Sequence, residues 1–394
     1  MKEHDLLIHP AHRLEQVGEY YFSRKLKEVA QMNAEGPKVI SLAIGCPDQP
    51  PSAATIRTLC EAAHQPEAHR YQPTCGTPQL RQAMAGFYKR WFQVDLDPDT
   101  EIQPLMGSKE GILHTTLAFV NPGEKVLVPN PGYPTYTSLS KLLGCQIVSY
   151  NLKPEQGWQP DFDELERLAD EDVRLLWCNY PNMPTGAPAM RETYERLVHF
   201  AQRHHIVIVN DNPYSFILGQ EHLSILQVPG AKDCCIELNS MSKSHNKPGW
   251  RIGMLATNAR FVRWILQVKS NIDSGTFRPL QLAAAEAYRN SDEWHEEANV
   301  KVYAQRRQLA GQIMNALGCK YDASQVGMFL WGRIPDAYAD AEQMTEKALH
   351  EARVFLTPGF IFGSNGARYV RLSLCAGEEQ MTEALSRIRS CFCS

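Results

Sequence analysis

The 394-residue sequence has no apolar run long enough to cross a membrane, no Cys-x-x-Cys pair and no marked excess of charge of one sign. A membrane-spanning helix needs about 20 consecutive apolar residues, so no membrane span is expected. Forty Lys and Arg against 44 Asp and Glu give a formal net charge of −4, which provides no electrostatic reason to expect nucleic acid or an anionic membrane surface as a partner. Small molecules are therefore the expected partners.

The eleven cysteines do not follow a pattern typical of disulfides or of a metal site. Their number is odd, Cys234 and Cys235 are adjacent in an apolar run, and Cys391 and Cys393 lie near the C-terminal end. Free, mostly buried thiols in a reducing compartment explain this pattern better than a disulfide framework. The first ten residues are polar and show no signal-peptide pattern. We therefore expect a cytoplasmic location and no bound metal.

The middle of the chain alternates short β-rich runs with helical patterns, which is typical of crossover units and a parallel sheet. Apolar residues recur at helical spacing in Pro78–Phe92 and Arg191–His204, which predicts helices there. The chain is too long for one simple core, so two domains, or one α/β body with an appended cap, are expected. The six runs predicted as strands are Lys125–Pro129, Gln146–Asn151, Arg174–Asn179, Ile206–Asn210, Cys234–Leu238 and Ile252–Ala256.

The pattern changes after about residue 275. A long helical pattern over Trp294–Leu317 is followed by predicted strands at Gly327–Gly332 and Tyr369–Leu374, and by a last helix over Glu378–Arg389. A second, α+β domain is predicted here. The helical segment Arg13–Met32 has no sheet of its own, so we expect it to pack against the C-terminal part or against a partner subunit.

One segment, Leu238–Gly253, combines hydroxyl groups, cations and a forced turn directly after a predicted strand. Taken alone, it is typical of a solvated polar loop. It is also typical of an anion site beside a reactive amine, because Ser240 offers a hydroxyl, Arg251 offers a planar fork suited to phosphate, and Lys243 lies between them. The residues of the segment leave both interpretations open.

The spacing in this segment resembles the cofactor-lysine motif of the class I/II aminotransferases, which are pyridoxal-phosphate (PLP) enzymes of fold type I. A Ser-x-x-Lys sequence ends at Lys243, and Arg251 follows eight residues later within Pro-Gly-x-Arg-x-Gly. The resemblance implies an α/β fold with a large PLP-binding domain, whose mostly parallel central sheet is flanked by helices, plus a smaller α+β domain. The large domain is expected at residues 46–280, and the small one at residues 1–45 together with 281–394.

The resemblance extends over about residues 40 to 375 and also implies an activity. Lys243 is expected to carry PLP as a Schiff base, and the enzyme to move an amino group between an L-amino acid and a 2-oxo acid. The freed Lys243 amine would remove the α-proton of the substrate and return it at C4′ of the cofactor. Tyr71 matches a tyrosine that reaches the cofactor phosphate of the neighbouring subunit, so a homodimer with shared active sites is expected.

Asp211 and Tyr214 follow the predicted strand Ile206–Asn210. A carboxylate at the end of a strand is equally typical of a helix N-cap, and a tyrosine there is typical of loop packing. The resemblance implies instead that Asp211 keeps the pyridine nitrogen of the cofactor protonated, so that the ring accepts electrons. It implies that Tyr214 donates a hydrogen bond to the 3′ oxygen of the ring.

Two loops supply further predicted cofactor contacts. Gly107, Ser108 and Lys109 open an apolar helical pattern, where backbone N–H groups and the helix dipole favour an anion, although an ordinary N-cap box has the same pattern. The resemblance implies that they face the cofactor phosphate. Tyr133, in the turn Asn130–Tyr136, is similar to an aromatic residue that stacks on the cofactor ring, and a loop anchor is the plain alternative.

The sequence departs from the family pattern at Met183, within Tyr180–Gly186. The family normally has asparagine before Pro-Thr-Gly, where its side chain bonds the 3′ oxygen, and methionine cannot donate that bond. The contact is then either lost or taken over by Asn182 or Asn179. With fewer donors to the 3′ oxygen, the pKa of the Schiff base should rise, because the phenolate is less stabilised on its own.

The predicted substrate contacts lie near the two ends of the chain. Arg371, in a predicted strand, is typical of a rim ion pair, but the resemblance implies a bidentate grip on the substrate α-carboxylate. Ile44 and Gly45 resemble the family segment that lies over the substrate, where glycine permits a close backbone approach. The cluster Tyr20–Phe22 is more typical of a helix packing face than of a pocket wall. An acidic substrate would need a second cation, and the sequence alone does not rank the candidates Lys109, Lys247, Arg278 and Arg24.

Three other functions share some of these features. A PLP-dependent lyase, either a carbon–sulfur β-lyase or a decarboxylase, would use the same cofactor residues, because the bond that stands perpendicular to the ring decides the reaction. A PLP-sensing regulator would carry an added DNA-binding domain, for which we expect no room at the N-terminus. A purely structural homologue would not need the complete set of Lys243, Asp211, Tyr214, Ser240, Arg251 and Arg371. A transaminase is therefore the predicted function.

Overall fold

The computed structural model describes residues 8–18, 21–219, 221–295 and 301–393. None of the helices in these ranges is long and apolar enough to cross a membrane. The helices are α1 Tyr21–Glu35, α2 Ala53–Ala63, α3 Pro78–Phe92, α4 Ser108–Phe119, α5 Pro134–Leu142, α6 Phe162–Leu168, α7 Arg191–His204, α8 Met241–Ser244, α9 Ala259–Lys269, α10 Arg278–Arg289, α11 Ser291–Trp294, α12 Ala304–Ala316, α13 Ala341–His350 and α14 Glu378–Phe392.

The strands form one large and two small sheets. They are β1 Ile40–Ser41, β2 Ile102–Leu105, β3 Lys125–Asn130, β4 Gln146–Asn151, β5 Val173–Cys178, β6 Val207–Asp211, β7 Cys235–Ser240, β8 Gly253–Ala256, β9 Lys320–Tyr321, β10 Phe329–Arg333, β11 Val354–Phe355, β12 Thr357–Pro358 and β13 Tyr369–Ser373. Seven of them form the large sheet, in the order β2-β8-β7-β6-β5-β3-β4. The pairings from β7 to β4 are parallel, whereas β8 is antiparallel to both β7 and β2. The central sheet is therefore mostly parallel, as predicted.

The central strands are mostly apolar because helices cover both faces of the sheet, and their polar residues lie mainly toward the carboxyl ends. On one face, Val209 of β6 belongs to a core that includes Ile112 of α4. On the other face, Ile208 of β6 belongs to a core that includes Leu197 of α7. Side chains alternate along a strand, so neighbours in sequence lie in different cores.

The C-terminal part of the chain forms a four-stranded antiparallel sheet in the order β12-β13-β10-β9. Helix α1 packs on this part, where the rings of Phe22 and Phe355 meet edge to face at 6.5 Å. Lys25 of α1 also pairs with Glu346 of α13 at 2.5 Å. The expectation that the N-terminal helical segment packs against the C-terminal part is therefore confirmed.

The six strands predicted for the middle of the chain are present, with ends displaced by at most two residues. Strand β2 was not predicted, because Pro104 lies in it, and proline is tolerated there only because β2 is at the edge of the sheet. Within the predicted helix Trp294–Leu317, residues 301–303 form a π-helical turn that leads into α12, and residues 296–300 lie outside the described residues. The predicted domain boundaries stay a prediction.

Candidate active site

A cavity of about 660 Å³ opens where β5, β6 and β7 end. Asn179 follows β5, Asp211 ends β6 and Ser240 ends β7, so three neighbouring strands deliver polar side chains to one edge of the sheet. In open α/β sheets, ligands bind outside the carboxyl ends of the strands. The predicted site residues that line this cavity are Ile44, Gly45, Ser108, Lys109, Tyr133, Asp211, Tyr214, Ser240, Lys243, Arg251 and Arg371.

Lys243 lies in the short helix α8, directly after β7, and borders the cavity. Its Nζ donates a hydrogen bond to the backbone oxygen of Gly45. Burial lowers the pKa of Lys243; the nearby Cys375 and Cys46 oppose this shift, whereas the positive charges of Arg371 and Arg251 add to it. A desolvated lysine beside other cations is an activated nucleophile at neutral pH.

Asp211 is buried at the end of β6. Its Oδ2 accepts a hydrogen bond from the Tyr136 hydroxyl at 3.0 Å, whereas its Oδ1 has no partner in the described part of the chain. Burial raises the pKa of Asp211 to about 6, against the opposing effects of the Tyr136 and Ser108 hydroxyls. The Tyr136 ring is in turn fixed by stacking on Trp177, with centroids 5.0 Å apart. A buried carboxylate oxygen without a donor is ready for a cationic N–H group of a ligand.

Tyr214 lies three residues after Asp211 and is 8% exposed at the cavity wall. Its ring meets the ring of Phe329 edge to face, with centroids 5.9 Å apart. Burial raises the pKa of Tyr214, so its hydroxyl stays protonated and remains a hydrogen-bond donor at neutral pH.

The turn after β5 holds Asn179, Asn182 and Met183, the residues around the position of the usual asparagine. The side chain of Asn182 is used inside the turn, where Oδ1 accepts from the Thr185 hydroxyl at 2.7 Å and Nδ2 donates to the Asn179 oxygen at 3.1 Å. Asn182 does not line the cavity, whereas Asn179 and Met183 do. The side chain of Asn179 is engaged as well, since its Nδ2 donates to the Asp211 backbone oxygen and its Oδ1 accepts from the Met183 N–H at 2.7 Å. The predicted cofactor contact of Asn182 stays a prediction.

The predicted phosphate contacts come together at the start of α4. Gly107 is the N-cap and has a φ of 81°, in the left-handed region that favours glycine. A Cβ atom at Gly107 would lie 2.3 Å from Nη2 of Arg251. Arg251 donates to the Ser242 hydroxyl at 3.3 Å, and the Ser240 hydroxyl accepts from the Ser242 N–H at 3.2 Å. Backbone N–H groups at the start of a helix, next to a guanidinium and hydroxyls, form a site for an anion such as phosphate.

The guanidinium of Arg371 is held in one orientation by contacts on several sides. It lies over the rings of Phe329 and Phe362, at 3.9 and 4.7 Å from their centroids. Its Nη2 donates to the backbone oxygen of Ala43 at 2.9 Å, and its Nη1 lies 3.2 Å from the Met183 sulfur. The residue that departs from the family pattern therefore contacts the predicted carboxylate-binding arginine.

Ile44 and Gly45 form one wall of the cavity, as the resemblance implied. A Cβ atom at Gly45 would lie 2.4 Å from Cζ of Phe329, so the close approach requires glycine. The segment is attached to β13, because the Ile44 oxygen accepts from the Ser373 hydroxyl at 2.9 Å and the Leu42 oxygen accepts from the Ser373 N–H at 2.7 Å.

Within the single chain, Tyr71 does not line the cavity that contains most of the other predicted site residues. It is 91% exposed and borders a separate surface pocket of about 190 Å³ with Phe277. Its predicted contact with the cofactor of a neighbouring subunit stays a prediction.

The structure ranks the four candidate cations for an acidic substrate. Of these four residues, Lys109 is the one found among the described residues that line the cavity. Its Nζ lies 5.9 Å from the centroid of the Tyr133 ring, and both residues also border an adjoining outer cavity of about 780 Å³. Lys247 is instead 1% exposed, and burial lowers its pKa to about 7.

Sequence reasoning missed most of the apolar wall of the cavity. Phe22 and Leu26 of α1 and the rings of Phe329 and Phe362 all line it. The aromatic cluster Tyr20–Phe22 was compatible with a pocket wall, but the same spacing is typical of a helix packing face. Phe22 does both, since it also packs against the C-terminal part. Tyr20 itself lies outside the described residues.

The residues fit PLP on three separate points. The anion site at α4 matches its phosphate, the Asp211 oxygen without a donor matches its ring nitrogen, and the Lys243 amine with its lowered pKa matches its aldehyde. These three groups line one cavity, in which Arg371 adds a site for a carboxylate. The arrangement can therefore hold the cofactor and an amino acid side by side.

Comparison with known proteins agrees with this chemistry. The sequence profile of the family "Aminotransferase class I and II" matches residues 37–388. The chain is 39% identical to the LL-diaminopimelate aminotransferase of Dehalococcoides mccartyi, over 95% of this chain and 97% of that protein. It is 39% identical to the enzyme of the same name from Oleidesulfovibrio alaskensis, over 96% of this chain and 98% of that protein.

Solved structures agree as well. The apo-BacF structure from Bacillus subtilis matches with a TM-score of 0.93 and 33% identity, over 98% of this chain and 99% of that chain. A single mutant of Thermus thermophilus aspartate aminotransferase matches with a TM-score of 0.90 and 26% identity, over 98% of this chain and all (100%) of that one. The relatives are named as transaminases, so a lyase is not favoured. The chain belongs to the class I and II aminotransferases and is a PLP-dependent transaminase of fold type I, acting on amino acids and 2-oxo acids.

Proposed function

We propose that Lys243, Asp211 and Tyr214 form the catalytic centre of this transaminase. Bound PLP supplies an electron-accepting ring beside the α-carbon of the substrate. Asp211 keeps the ring nitrogen protonated through Oδ1, and Tyr214 donates to the 3′ oxygen, with the Asn179 amide nearby. The Lys243 amine holds the cofactor at rest and, once released by the substrate, takes the α-proton.

The phosphate end of the cofactor is assigned to the anion site at the start of α4. Gly107, Ser108 and Lys109 contribute backbone N–H groups, and Ser240 and Arg251 contribute a hydroxyl and a guanidinium. Tyr133, at the N-cap of α5, covers the cofactor ring, which its position on the cavity wall supports. No contact in this set requires an asparagine at position 183.

The substrate α-carboxylate is assigned to Arg371, whose guanidinium is oriented by two aromatic rings and a backbone oxygen. Ile44 and Gly45 are assigned to the wall that faces the substrate, which their position in the cavity lining supports. Oriented, bidentate binding of the carboxylate places the α-carbon next to the Lys243 amine, which lowers the entropic cost of proton transfer.

We further propose that the amino donor is a long amino acid with a second carboxylate, with LL-diaminopimelate as the candidate. The observation that carries this proposal is Lys109, a cation at the boundary of the inner and outer cavities. LL-diaminopimelate is a seven-carbon molecule with an amino group beside each of two carboxylates, so when one carboxylate is bound by Arg371, a second carboxylate is left for the cation of Lys109. The names of the relatives support the same substrate.

Initial rates with LL-diaminopimelate, L-aspartate, L-lysine and L-alanine, each with a panel of 2-oxo acids, test this substrate. Lys109→Met keeps the length of the side chain and removes the charge. It should raise the KM for LL-diaminopimelate about tenfold, because one charge-assisted hydrogen bond to the substrate is lost. The KM for L-alanine should not change. Lys109→Arg is the matched control and should retain the preference. Equal effects on both donors, or no preference for LL-diaminopimelate in the wild type, would reject this substrate without touching the transaminase assignment.

A homodimer with shared active sites and a cytoplasmic location complete the proposal. The exposed ring of Tyr71, beside the half-exposed ring of Phe277, supports an interface that continues the site. All eleven cysteines are free thiols, which supports a reducing compartment. Mixing Tyr71→Ala with Lys243→Ala subunits tests the dimer, since a mixed pair regains one complete site if Tyr71 acts across the interface. No regained activity after subunit exchange would reject the shared site.

A further inference from the structure

A second carboxyl group, that of Glu237, lies under the cofactor site on the reverse face of the central sheet. It is in the middle of β7 and is 0% exposed. In the register of β6 and β7, Glu237 pairs with Asn210, and Leu238 pairs with Asp211. Successive side chains of a strand point to opposite faces, so Glu237 and Asn210 share the face covered by α3 and α7, whereas Asp211 points to the cavity.

The hydrogen bonds around Glu237 favour the carboxylate form. Its Oε1 accepts from the Tyr88 hydroxyl at 3.0 Å, and its Oε2 accepts from Asn210 Nδ2 at 3.0 Å and from the Ile225 N–H at 3.1 Å. Amide and backbone N–H groups only donate. If Glu237 carried a proton and donated it to Tyr88, the Tyr88 hydroxyl proton would have no acceptor among the described residues.

Burial opposes the carboxylate and raises the pKa of Glu237, while these hydrogen bonds lower it. The charge of Glu237 also raises the pKa of Asp211. The other titratable side chains coupled to Glu237 are hydroxyls and thiols that stay neutral, because burial raises the pKa of each: Tyr88, Tyr194, Cys178 and Cys235.

Asn210 connects Glu237 to the active site. Besides its bond to Glu237, its Nδ2 donates to the Tyr194 hydroxyl at 3.0 Å, and its Oδ1 accepts from the Tyr180 N–H at 3.1 Å. Asn210 directly precedes Asp211 in the chain, and Tyr180 begins the turn that carries Met183 to the cavity. A buried network whose members are all bonded fixes the strand end on which Asp211 stands.

We propose that Glu237 is a positioning residue for the cofactor, which fixes Asp211 from the reverse face of the sheet and adds a second negative charge that stabilises the protonated ring nitrogen of PLP. The proposal rests on the proposed role of Asp211. Because like charges make each other more basic, Glu237 makes Asp211 a better partner for a positive ring. The protein interior screens charges weakly, so the effect extends over several ångströms.

Glu237→Gln tests the charge with little change of shape, because the amide oxygen can still accept from Asn210 and Ile225. Binding of PLP labelled with ¹⁵N in its ring is measured together with the ¹⁵N chemical shift, which reports protonation of the ring nitrogen. We expect the dissociation constant of PLP to rise about tenfold, because one charge acting at an intermediate dielectric constant is removed. The protonated fraction of the ring nitrogen should fall. The wild type should show a protonated ring nitrogen.

Tyr194→Phe is the matched control, because it removes the two hydrogen bonds of the Tyr194 hydroxyl, one from Asn210 and one to the Tyr180 oxygen, without removing a charge. It should lower thermal stability and leave the PLP affinity and the ¹⁵N shift unchanged. Wild-type values in folded Glu237→Gln, or the same change in Tyr194→Phe, would overturn the proposal. If Glu237→Gln does not fold, Tyr88→Phe replaces it, because the loss of the donor to Oε1 favours protonation of Glu237 and should shift the ring in the same direction. An unprotonated ring nitrogen in the wild type would instead reject the role of Asp211.

Discussion

Replacing Asp211 with asparagine should stabilise the PLP-free protein at neutral pH. Burial raises the pKa of Asp211 from its ordinary value of 3.8 to about 6. Between about pH 4 and pH 6 the folded state therefore binds more protons than the unfolded chain, so the free energy of unfolding falls as the pH rises through this interval. Since one pKa unit corresponds to about 1.4 kcal/mol, the buried charge of Asp211 costs about 3 kcal/mol at neutral pH.

Asparagine has the same shape as aspartate and no charge. The difference in unfolding free energy between Asp211→Asn and the wild type should therefore grow with pH, with most of the ~3 kcal/mol appearing between pH 4 and pH 7. Urea titrations of both PLP-free proteins at the two pH values, followed by tryptophan fluorescence, measure it. The other carboxylates are common to both proteins and cancel. A difference that does not change with pH would refute a raised pKa of Asp211.

The same substitution should damage the cofactor site. A hydrogen bond between charged partners contributes up to about 3 kcal/mol, so the dissociation constant of PLP should rise roughly 100-fold. Tyr136→Phe is the control, because it removes the hydroxyl that lowers the pKa of Asp211 and keeps the charge. Because the pKa of Asp211 is then higher, the free energy of unfolding of Tyr136→Phe should continue to fall with rising pH up to a higher pH than in the wild type. An unchanged PLP affinity in Asp211→Asn would contradict the proposed contact with the ring nitrogen.

Three further substitutions have expected outcomes. Lys243→Ala should abolish transamination and leave the circular dichroism spectrum unchanged, and measurable steady-state turnover would contradict the assignment. Arg371→Lys loses the planar fork, so kcat/KM for the amino donor should fall about 10- to 100-fold, with PLP content unchanged, and equal kcat/KM values would contradict it. Gly45→Ala should place a Cβ atom 2.4 Å from Phe329 and raise the KM, whereas Gly86→Ala, where nothing lies within 4 Å, should be neutral or stabilising by about 0.5 kcal/mol.

The cofactor side of the site could be predicted from the sequence because its residues stand in short motifs at the ends of strands. Lys243 and Ser240 follow β7, and Asp211 ends β6. The resemblance to the aminotransferases assigned these motifs to one site, and parallel strands that end at the same edge of a sheet bring them together. The cavity does contain them, although the role of each remains a proposal.

Contacts between distant segments could not be predicted. The hydroxyl of Tyr136 on Asp211 depends on the stacking of its ring on Trp177, and nothing in either segment encodes that pair. The contact of Met183 with Arg371 joins residues 188 positions apart. The replacement of the usual asparagine by Met183 was visible in the sequence. A single sequence shows that the asparagine contact is missing, but it does not show that the methionine contacts Arg371 instead.

The hydrogen bonds of β13 have a consequence for the catalytic cycle. Arg371 bonds the Ala43 oxygen, while the backbone N–H and hydroxyl of Ser373 bond the oxygens of Leu42 and Ile44. The residues proposed to bind the substrate are thus fastened to the C-terminal sheet, whereas Asp211 and Ser240, proposed to bind the cofactor, end strands of the central sheet. A small rotation between the two sheets would break the Lys243–Gly45 and Arg371–Met183 contacts and leave the hydrogen bonds within each set intact. Such a rotation would let one substrate leave and the next one enter in each half-reaction while the cofactor stays in place.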